Sequence, residues 1–204
     1  LKMISSKKQL EVSLSKLNQV ISPKVELEQY STPSNIAAEV LWSAYMNNDI
    51  KNKIVADLGC GNGILGIGAS LLGAKKLFFL DSDPTSLLIA KKNLNSLNLS
   101  NAIFLREDVR NFKNKVDTVI QNPPFGVQNE HADREFLLRA IEISNKIYSF
   151  HKIESKSFIE AIIRNTQFKL KEVLMFDFPL KKSQEFHEKK LYLVKVGCFI
   201  LKKG

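Results

Sequence analysis

Asp57-Leu58-Gly59-Cys60-Gly61-Asn62-Gly63 separates a short apolar run, 54–58, from an apolar helical pattern, 64–72. Glycines between a buried strand and a helix let the backbone turn sharply and approach a ligand closely, and the helix N-terminus offers unpaired N–H groups to a carboxylate or phosphate. Open α/β sheets bind their ligands at the edge formed by the carboxyl ends of the strands, where this loop lies. The stretch therefore predicts a strand, a ligand-binding loop and a helix, in that order.

Outward from this loop, apolar runs alternate with amphipathic helical patterns. The predicted strands are 54–58, 77–80, 103–105, 116–120, 147–150, 168–178 and 191–201, and the predicted helices are 10–21, 36–46, 64–72, 84–97, 133–145 and 154–166. Strands joined by helices lie parallel, whereas the about a dozen polar residues between the last two runs are too few for a crossover helix. The sequence thus predicts an α/β fold, a doubly wound and mostly parallel seven-stranded sheet that ends in an antiparallel hairpin.

Length and composition favour a single domain over residues 1–204. The chain is 44% hydrophobic and 25% charged, and no stretch approaches the roughly 20 apolar residues that a membrane span needs. Cys60 and Cys198 form no C-x-x-C pair, the three histidines lack metal-ligand spacing, and residues 1–10 lack the apolar core of a secretion signal. We expect neither a disulfide framework nor a metal site, and a cytoplasmic location.

The charge balance is basic. Lys and Arg number 30 against 21 Asp and Glu, which gives a formal net charge of +9. This excess favours a polyanionic partner, but charge alone is equally consistent with surface residues that only keep the protein soluble.

Acidic residues mark the ends of the first three predicted strands. Asp81 could accept hydrogen bonds from both hydroxyls of a ribose, a feature that dinucleotide and adenosyl cofactors share, and Gly61 to Gly66 also fits the G-x-G-x-x-G pattern of dinucleotide sites. Asp57 suits a cofactor that bears an amino group, and Asp108 could pair with an adenine amino group. The alternative is that Asp57 and Asp108 only cap turns.

Asn122-Pro123-Pro124-Phe125 directly follows the fourth predicted strand and is the most specific motif of the chain. Prolines lack an N–H and have a fixed φ, so the loop is stiff and its carbonyls are acceptors. Hydrogen bonds from a planar NH2 group to the Asn122 side-chain oxygen and the Pro123 carbonyl would free the nitrogen lone pair for attack on a methyl sulfonium and stabilise the developing positive charge. Phe125 offers a flat face for a base extruded from its stack. The alternative is a plain proline turn.

With these motifs in this order, the chain resembles the class I S-adenosylmethionine-dependent methyltransferases that methylate amino groups, in particular the archaeal and eukaryotic family that methylates N6 of an adenosine in small-subunit ribosomal RNA. The similarity extends over nearly the whole chain and includes Leu27-Glu28-Gln29-Tyr30-Ser31-Thr32, Tyr148-Ser149-Phe150-His151-Lys152 and Phe186-His187-Glu188-Lys189-Lys190. It implies S-adenosylmethionine as cofactor, RNA as substrate, and a small zinc-binding activator protein on the edge strand 103–105.

The resemblance also implies roles for individual residues. A segment within residues 1–50 closes over the cofactor through Gln29, Tyr30 and Thr32. Asp57 and Gly59 hold the methionine part of the cofactor, Asp81 its ribose and Asp108 its adenine, and Gly61 and Val109 also bind the cofactor. The residues that take the target base are Asn122, Pro123, Pro124 and Phe125. The loop 127–133 departs from the glycine- and lysine-containing loop that the family leads us to expect.

Basic residues are predicted at the same edge of the sheet. If the sixth strand is parallel to the others, its end lies beside Asn122, and the loop 180–190 emerges there. The residues expected to contact RNA phosphates are His151, Lys152, Lys181, Lys182, His187, Lys189 and Lys190. The alternatives are a solvated hairpin tip and, for His151, a structural role.

Three other functions remain open on the sequence. One is methylation of a glutamine amide nitrogen in a protein, although enzymes of that kind carry a helical domain before the glycine loop and only about fifty residues precede it here. A catalytically silent RNA-binding module would explain the charge but not an intact cofactor loop. A dinucleotide oxidoreductase would explain the glycines but not Asn-Pro-Pro-Phe.

Overall fold

The computed structural model describes residues 4–19, 31–124, 132–181 and 191–204. Its helices are α1 (Lys7–Leu14), α2 (Ser34–Met46), α3 (Ile64–Leu71), α4 (Pro84–Ser96), α5 (Ala132–Ile143) and α6 (Lys156–Ile163). Its strands are β1 (Ile54–Leu58), β2 (Lys76–Asp81), β3 (Ala102–Arg106), β4 (Thr118–Gln121), β5 (Lys146–Lys152), β6 (Phe168–Lys181) and β7 (Leu191–Lys203). Within these ranges no helix is both long and apolar enough to cross a membrane.

All seven strands form one sheet in the order β3-β2-β1-β4-β5-β7-β6. The first five strands are parallel, and β7 is antiparallel to both of its neighbours. Buried apolar side chains cover both faces, one packed against α1, α2 and α3 and the other against α5 and α6. The predicted doubly wound sheet with a C-terminal antiparallel hairpin is confirmed.

The first helix is shorter than predicted. Ser6 caps α1 by accepting a hydrogen bond from the Gln9 N–H at 3.3 Å, as the sequence led us to expect. The helix ends at Leu14 rather than at 21, and Leu17 beyond it is still buried. The apolar residues keep a helical spacing beyond Leu14 because the irregular turn that follows the helix also buries its apolar side chain, Leu17.

The C-terminal hairpin corrects one prediction about the site. Since β7 lies between β5 and β6, the end of β6 is three strands away from β4, which is about 14 Å at the usual strand spacing. Beyond the pair that Lys152 makes with Val196, the hairpin continues to the pair of Lys181 and Leu191. The predicted position of the sixth strand's end beside Asn122 was therefore wrong, although β6 does point to the same edge.

The contact between α3 and β2 leaves no room for a side chain at Gly66. A Cβ there would lie 2.4 Å from the ring of Phe79, which is itself fully buried and stacked on Phe104. Because Gly66 has no side chain, α3 approaches β2 closely. This close approach places the Gly66 N–H near the end of β1.

We predict that Gly66→Ala lowers the free energy of unfolding by about 1–2 kcal/mol, because overpacking a full core costs about 1–3 kcal/mol and the gain in helix propensity returns at most about 1. Denaturant unfolding of the parent and the variant measures the difference. Ala69→Gly in the same helix is the comparison; it loses the helix propensity of about 1 kcal/mol and the burial of one methyl group, about 0.8 kcal/mol, because Ala69 is fully buried. A Gly66→Ala variant as stable as the parent would show that the Phe79 ring can move.

Candidate active site

The register of the parallel strands brings the predicted motifs together. Leu58 pairs with Leu80 on one side and with Gln121 on the other. The next residues, Gly59, Asp81 and Asn122, therefore follow at neighbouring strand ends on the same edge of the sheet. Three motifs that are far apart in the sequence meet there.

The glycine loop has the backbone that its sequence predicts. Gly61 and Gly63 adopt φ values of 55° and 83°, which side chains with a Cβ rarely tolerate. The Cys60 N–H donates to the Leu80 carbonyl at 2.9 Å and so holds the loop to β2. A Cβ on Gly61 would meet no atom of the described residues within 4 Å, so the described part of the chain leaves space on that side of the loop. The loop thus offers bare backbone to a ligand.

The Asp81 carboxylate fixes this loop. Its Oδ2 accepts a hydrogen bond from the Gly61 N–H at 2.9 Å, and its Oδ1 accepts one from the Asp83 N–H at 2.9 Å. Burial raises the pKa of Asp81, and these two N–H groups act in the opposite direction. Each carboxylate oxygen has a second lone pair, so Asp81 can still accept hydrogen bonds from ribose hydroxyls.

Asp57 is a buried acid. Its side chain lies at the end of β1, the residue is 2% exposed, and Oδ2 accepts a hydrogen bond from the Gly66 N–H at 2.8 Å. Burial raises the pKa of Asp57 to about 7; the Gly66 N–H lowers it and the nearby Asp81 raises it further. A cation bound beside Asp57 would favour its charged form.

Asp108 has a partner that the sequence analysis did not consider. Its carboxylate accepts two hydrogen bonds from the Arg110 guanidinium, at 2.8 and 2.7 Å, and one from the Arg110 N–H at 2.9 Å. The side-chain hydrogen bonds of Arg110 hold the pKa of Asp108 at about 2. Asp108 also caps a short 3-10 helix, Val109–Asn111, so it has the turn-capping role that the sequence left open. An adenine amino group would share these oxygens with Arg110.

Asn122 carries an unused acceptor. Its Nδ2 donates to the Thr32 Oγ1 at 3.0 Å, whereas its buried Oδ1 has no hydrogen-bond partner in the described part of the chain. Pro123 beside it is buried, and neither proline has an N–H to give. A buried oxygen without a donor costs about 1–3 kcal/mol, so the site is built to receive an N–H donor. The hydrogen bond between Asn122 and Thr32 also connects the N-terminal region to the end of β4.

A series of polar side chains connects β4, β5 and α5 beside Asn122. Gln121 Nε2 donates to Ser149 Oγ at 2.9 Å, and Ser149 Oγ lies 2.7 Å from His151 Nε2. His151 Nδ1 lies 3.6 Å from Asp133 Oδ2, in the first turn of α5. Sequence reasoning missed Gln121, Ser149 and Asp133, although a glutamine in a strand buried along its whole length is a signal of such a network.

His151 is therefore not placed where a phosphate contact requires. The residue is 1% exposed and its ring packs edge-on against Phe199, so it does not reach solvent. This placement disagrees with the phosphate contact expected from the sequence and fits the structural alternative. Lys152, the next residue, is only half-buried and remains a candidate.

Other predicted site residues fall outside the described residues. They are Gln29, Tyr30, Phe125, Lys182, His187, Lys189 and Lys190, and only the backbone of Lys181 is described, as the last residue of β6. Val109 is buried next to Asp108.

The strand order, with the last strand inserted antiparallel between β5 and β6, is that of the class I S-adenosylmethionine-dependent methyltransferases, and the chain has the fold of that class. The family model described as "Methyltransferase small domain" matches residues 32–147, more than half of the chain, and the chain belongs to this family.

Relatives that align over nearly the whole chain narrow the family assignment. The chain is 38% identical to protein MJ0284 of Methanocaldococcus jannaschii, over 97% of this chain and 94% of that one. It is 36% identical to the rRNA N(6)-adenosine-methyltransferase METTL5 of Danio rerio, over 90% of this chain and 92% of that one. The crystal structure of PH1948 from Pyrococcus horikoshii superposes with a TM-score of 0.89 at 41% identity and covers 98% of this chain and 99% of that one. The resemblance seen in the sequence is confirmed.

We predict that His151→Ala lowers the free energy of unfolding by about 1–3 kcal/mol, because it removes a buried polar partner from Ser149. Denaturant unfolding and RNA affinity are measured on the same preparations. Lys152→Ala is the matched control, with little change in stability. If His151→Ala instead weakens RNA binding without loss of stability, the ring does contact RNA and the structural role is wrong.

Proposed function

We propose that the chain transfers a methyl group from S-adenosylmethionine to N6 of an adenosine in ribosomal RNA. The observation that carries this proposal is the buried Asn122 Oδ1, an acceptor without a donor beside the glycine loop. An exocyclic NH2 group is the donor that such an oxygen needs. The near full-length similarity to an rRNA N(6)-adenosine-methyltransferase supports adenosine as the source of that NH2 group.

Asn122 and Pro123 act on the target nitrogen. Its two protons donate to Asn122 Oδ1 and to the Pro123 carbonyl, which draws the lone pair out of conjugation and directs it away from the ring. With its Nδ2 donating to Thr32 Oγ1, the Asn122 side chain leaves its Oδ1 to face the substrate. The same acceptors stabilise the positive charge that grows on N6, and they require little reorganisation because the prolines are stiff.

The bound cofactor supplies a methyl group on a positively charged sulfur. Asp81 accepts hydrogen bonds from its ribose, and Asp57 faces its ammonium group while the bare backbone of Gly59 and Gly61 lies against its methionine part. Asp108 and Val109 border its adenine. No strong base is required of the chain, because the methylated nitrogen becomes acidic and releases its proton to water.

The remaining roles follow the family resemblance. Gln29, Tyr30 and Thr32 close over the cofactor, and Phe125 stacks on the target base. Lys152 and the basic hairpin loop, Lys181, Lys182, His187, Lys189 and Lys190, contact RNA phosphates. The small-subunit rRNA target and the cytoplasmic location stay predictions.

A small zinc-binding activator docks on β3. This strand is at one edge of the sheet, with unpaired backbone groups on its outer side, and Ile103 on it is exposed. An apolar side chain on an open strand edge is suited to pairing with a strand of another protein.

The function is tested by mass spectrometry of nucleosides from ribosomal RNA incubated with the protein and isotopically labelled S-adenosylmethionine. Label in N6-methyladenosine is expected. Label in a protein glutamine, or no label in the RNA with or without an added zinc-binding partner, would contradict the proposal.

We predict that Asn122→Ala slows methyl transfer by about a hundredfold or more, because an acceptor used in the transition state is lost. Cofactor affinity by calorimetry should stay close to that of the parent. Asn114→Ala, at an exposed asparagine, is the control and should change neither quantity. Single-turnover rates within threefold of the parent would reject the role of Asn122.

Asp57 should make cofactor binding depend on pH. Its folded-state pKa of about 7 lies above the ordinary value, so its contribution to the stability of the free protein is lost as the pH rises through 7. An ammonium group beside Asp57 lowers this pKa, and binding then releases a proton below pH 7. We predict that affinity rises by up to about tenfold per unit from pH 5.5 to 7 and then levels off. The rise should be absent in Asp57→Asn, and a flat parent profile by calorimetry would place the ammonium elsewhere.

A further inference from the structure

Lysines line the edge of the sheet opposite Asn122. Each of six adjacent strands brings one there, because the parallel strands begin at this edge and the antiparallel β7 ends at it. In sheet order from β2 to β6 these residues are Lys76, Lys53, Lys115, Lys146, Lys202 and Lys169. At the usual strand spacing this edge is about 24 Å long.

Three of these lysines are directly opposite one another. Lys202 on β7 pairs in register with Lys146 on β5 and with Lys169 on β6. Side chains of directly paired residues point to the same face and lie about 5 Å apart at their Cβ atoms, and like charges in this arrangement are destabilising. We call Lys146, Lys202 and Lys169, with Lys171 beside them, the lysine row.

The row has little negative charge to balance it. Within the described ranges the acid that contacts it is Asp49, whose carboxylate accepts hydrogen bonds from Lys146 Nζ at 2.7 Å and from the Tyr148 hydroxyl at 2.8 Å. The pKa of Lys202 is lowered because the amino group of Lys146 lies against it, and Lys171 adds to this effect while Asp49 opposes it. The cations crowd one another more than the one acid relieves.

We infer that the lysine row binds the phosphate backbone of the RNA substrate at a place away from the target adenosine. This inference rests on the proposed function, which makes a polyanion the substrate. Lysine is a compact, strongly hydrated charge that contacts phosphate without demanding a particular base. An RNA backbone would supply the negative charge that the row lacks. Without it, the sheet holds like charges opposite one another, which is an unfavourable arrangement.

The row is too far from the reaction to act on it. Lys146 pairs with Thr118, and Asn122 is four residues further along that strand, about 13 Å away. With the sideways displacement of β6, Lys169 and Asn122 are roughly 20 Å apart. The row therefore holds a different part of the RNA than the target nucleotide, and it affects how tightly a large RNA binds rather than the methyl transfer itself.

The test uses the triple variant Lys169→Gln, Lys171→Gln and Lys202→Gln, and keeps Lys146 because it pairs with Asp49. The matched control is Lys16→Gln, Lys91→Gln and Lys92→Gln, three exposed lysines on other surfaces with the same change in net charge. Affinity for full-length small-subunit rRNA is measured by filter binding between about 50 and 200 mM salt. Methylation is measured on that RNA and on an oligonucleotide of about five residues around the methylated adenosine.

The row variant should bind the long RNA roughly tenfold more weakly at physiological salt, and the slope of log K against log salt should fall by about 2 to 3. The KM for the long RNA should rise while kcat, methylation of the oligonucleotide and S-adenosylmethionine affinity stay at the parent values. The control variant should keep the parent slope.

Parallel salt lines for the parent and the row variant would overturn the inference, as would an equal loss in the control. An effect on the oligonucleotide would place the lysines in the active site instead. A loss seen with assembled small subunits but not with bare rRNA would identify a protein as the partner. If the parent methylates neither RNA, the proposed function fails, and the binding measurement still tests the row by itself.

Discussion

The hydrogen bond from the Gly61 N–H to the Asp81 carboxylate joins the ends of two adjacent strands, and the candidate site depends on it. It holds the glycine loop in a left-handed backbone, and each oxygen of Asp81 keeps a second lone pair for a further donor. The second bond, from the Asp83 N–H, fixes the same carboxylate from the side of α4. One side chain thereby sets the positions of a loop, a strand end and a helix start.

The end of β4 concentrates buried polar atoms that have no partner among the described residues. Gln121 Oε1 and Asn122 Oδ1 are adjacent in the chain and both are orphans, although native proteins satisfy nearly all such atoms. Their other amide groups are both occupied, by Ser149 and Thr32. In this arrangement the unused oxygen of Asn122 is an acceptor that folding has already positioned. The cost of leaving it unpaired is recovered only when a donor binds, which is how a site favours a substrate with an NH2 group.

Much of the fold and of this site could be predicted because the decisive signals are local. Asp57 to Gly63 fixes a strand, a loop and a helix, and Asn122 to Pro124 fixes a stiff turn, whatever the rest of the chain does. The position of β7 between β5 and β6 could not be predicted, since the hairpin sequence does not say which of its strands faces the sheet. Nor could the burial of His151, whose neighbours Asp133 and Phe199 are far from it in sequence. The pairing of Asp108 with Arg110 could have been predicted from the sequence, because the two residues are only two positions apart.

The antiparallel insertion of β7 also explains how one hairpin can carry basic residues to both edges of the sheet. At the edge that holds Asn122 the described part of the hairpin reaches the pair of Lys181 and Leu191, while its two ends lie at the opposite edge. Lys202 and Lys169 reach that edge in register with Lys146 only because β7 runs against its neighbours. A parallel seventh strand would instead end at the edge that holds Asn122 and would carry Lys202 away from Lys146. The antiparallel insertion of β7 therefore creates the lysine row, and it separates the row from the strand ends that form the candidate active site.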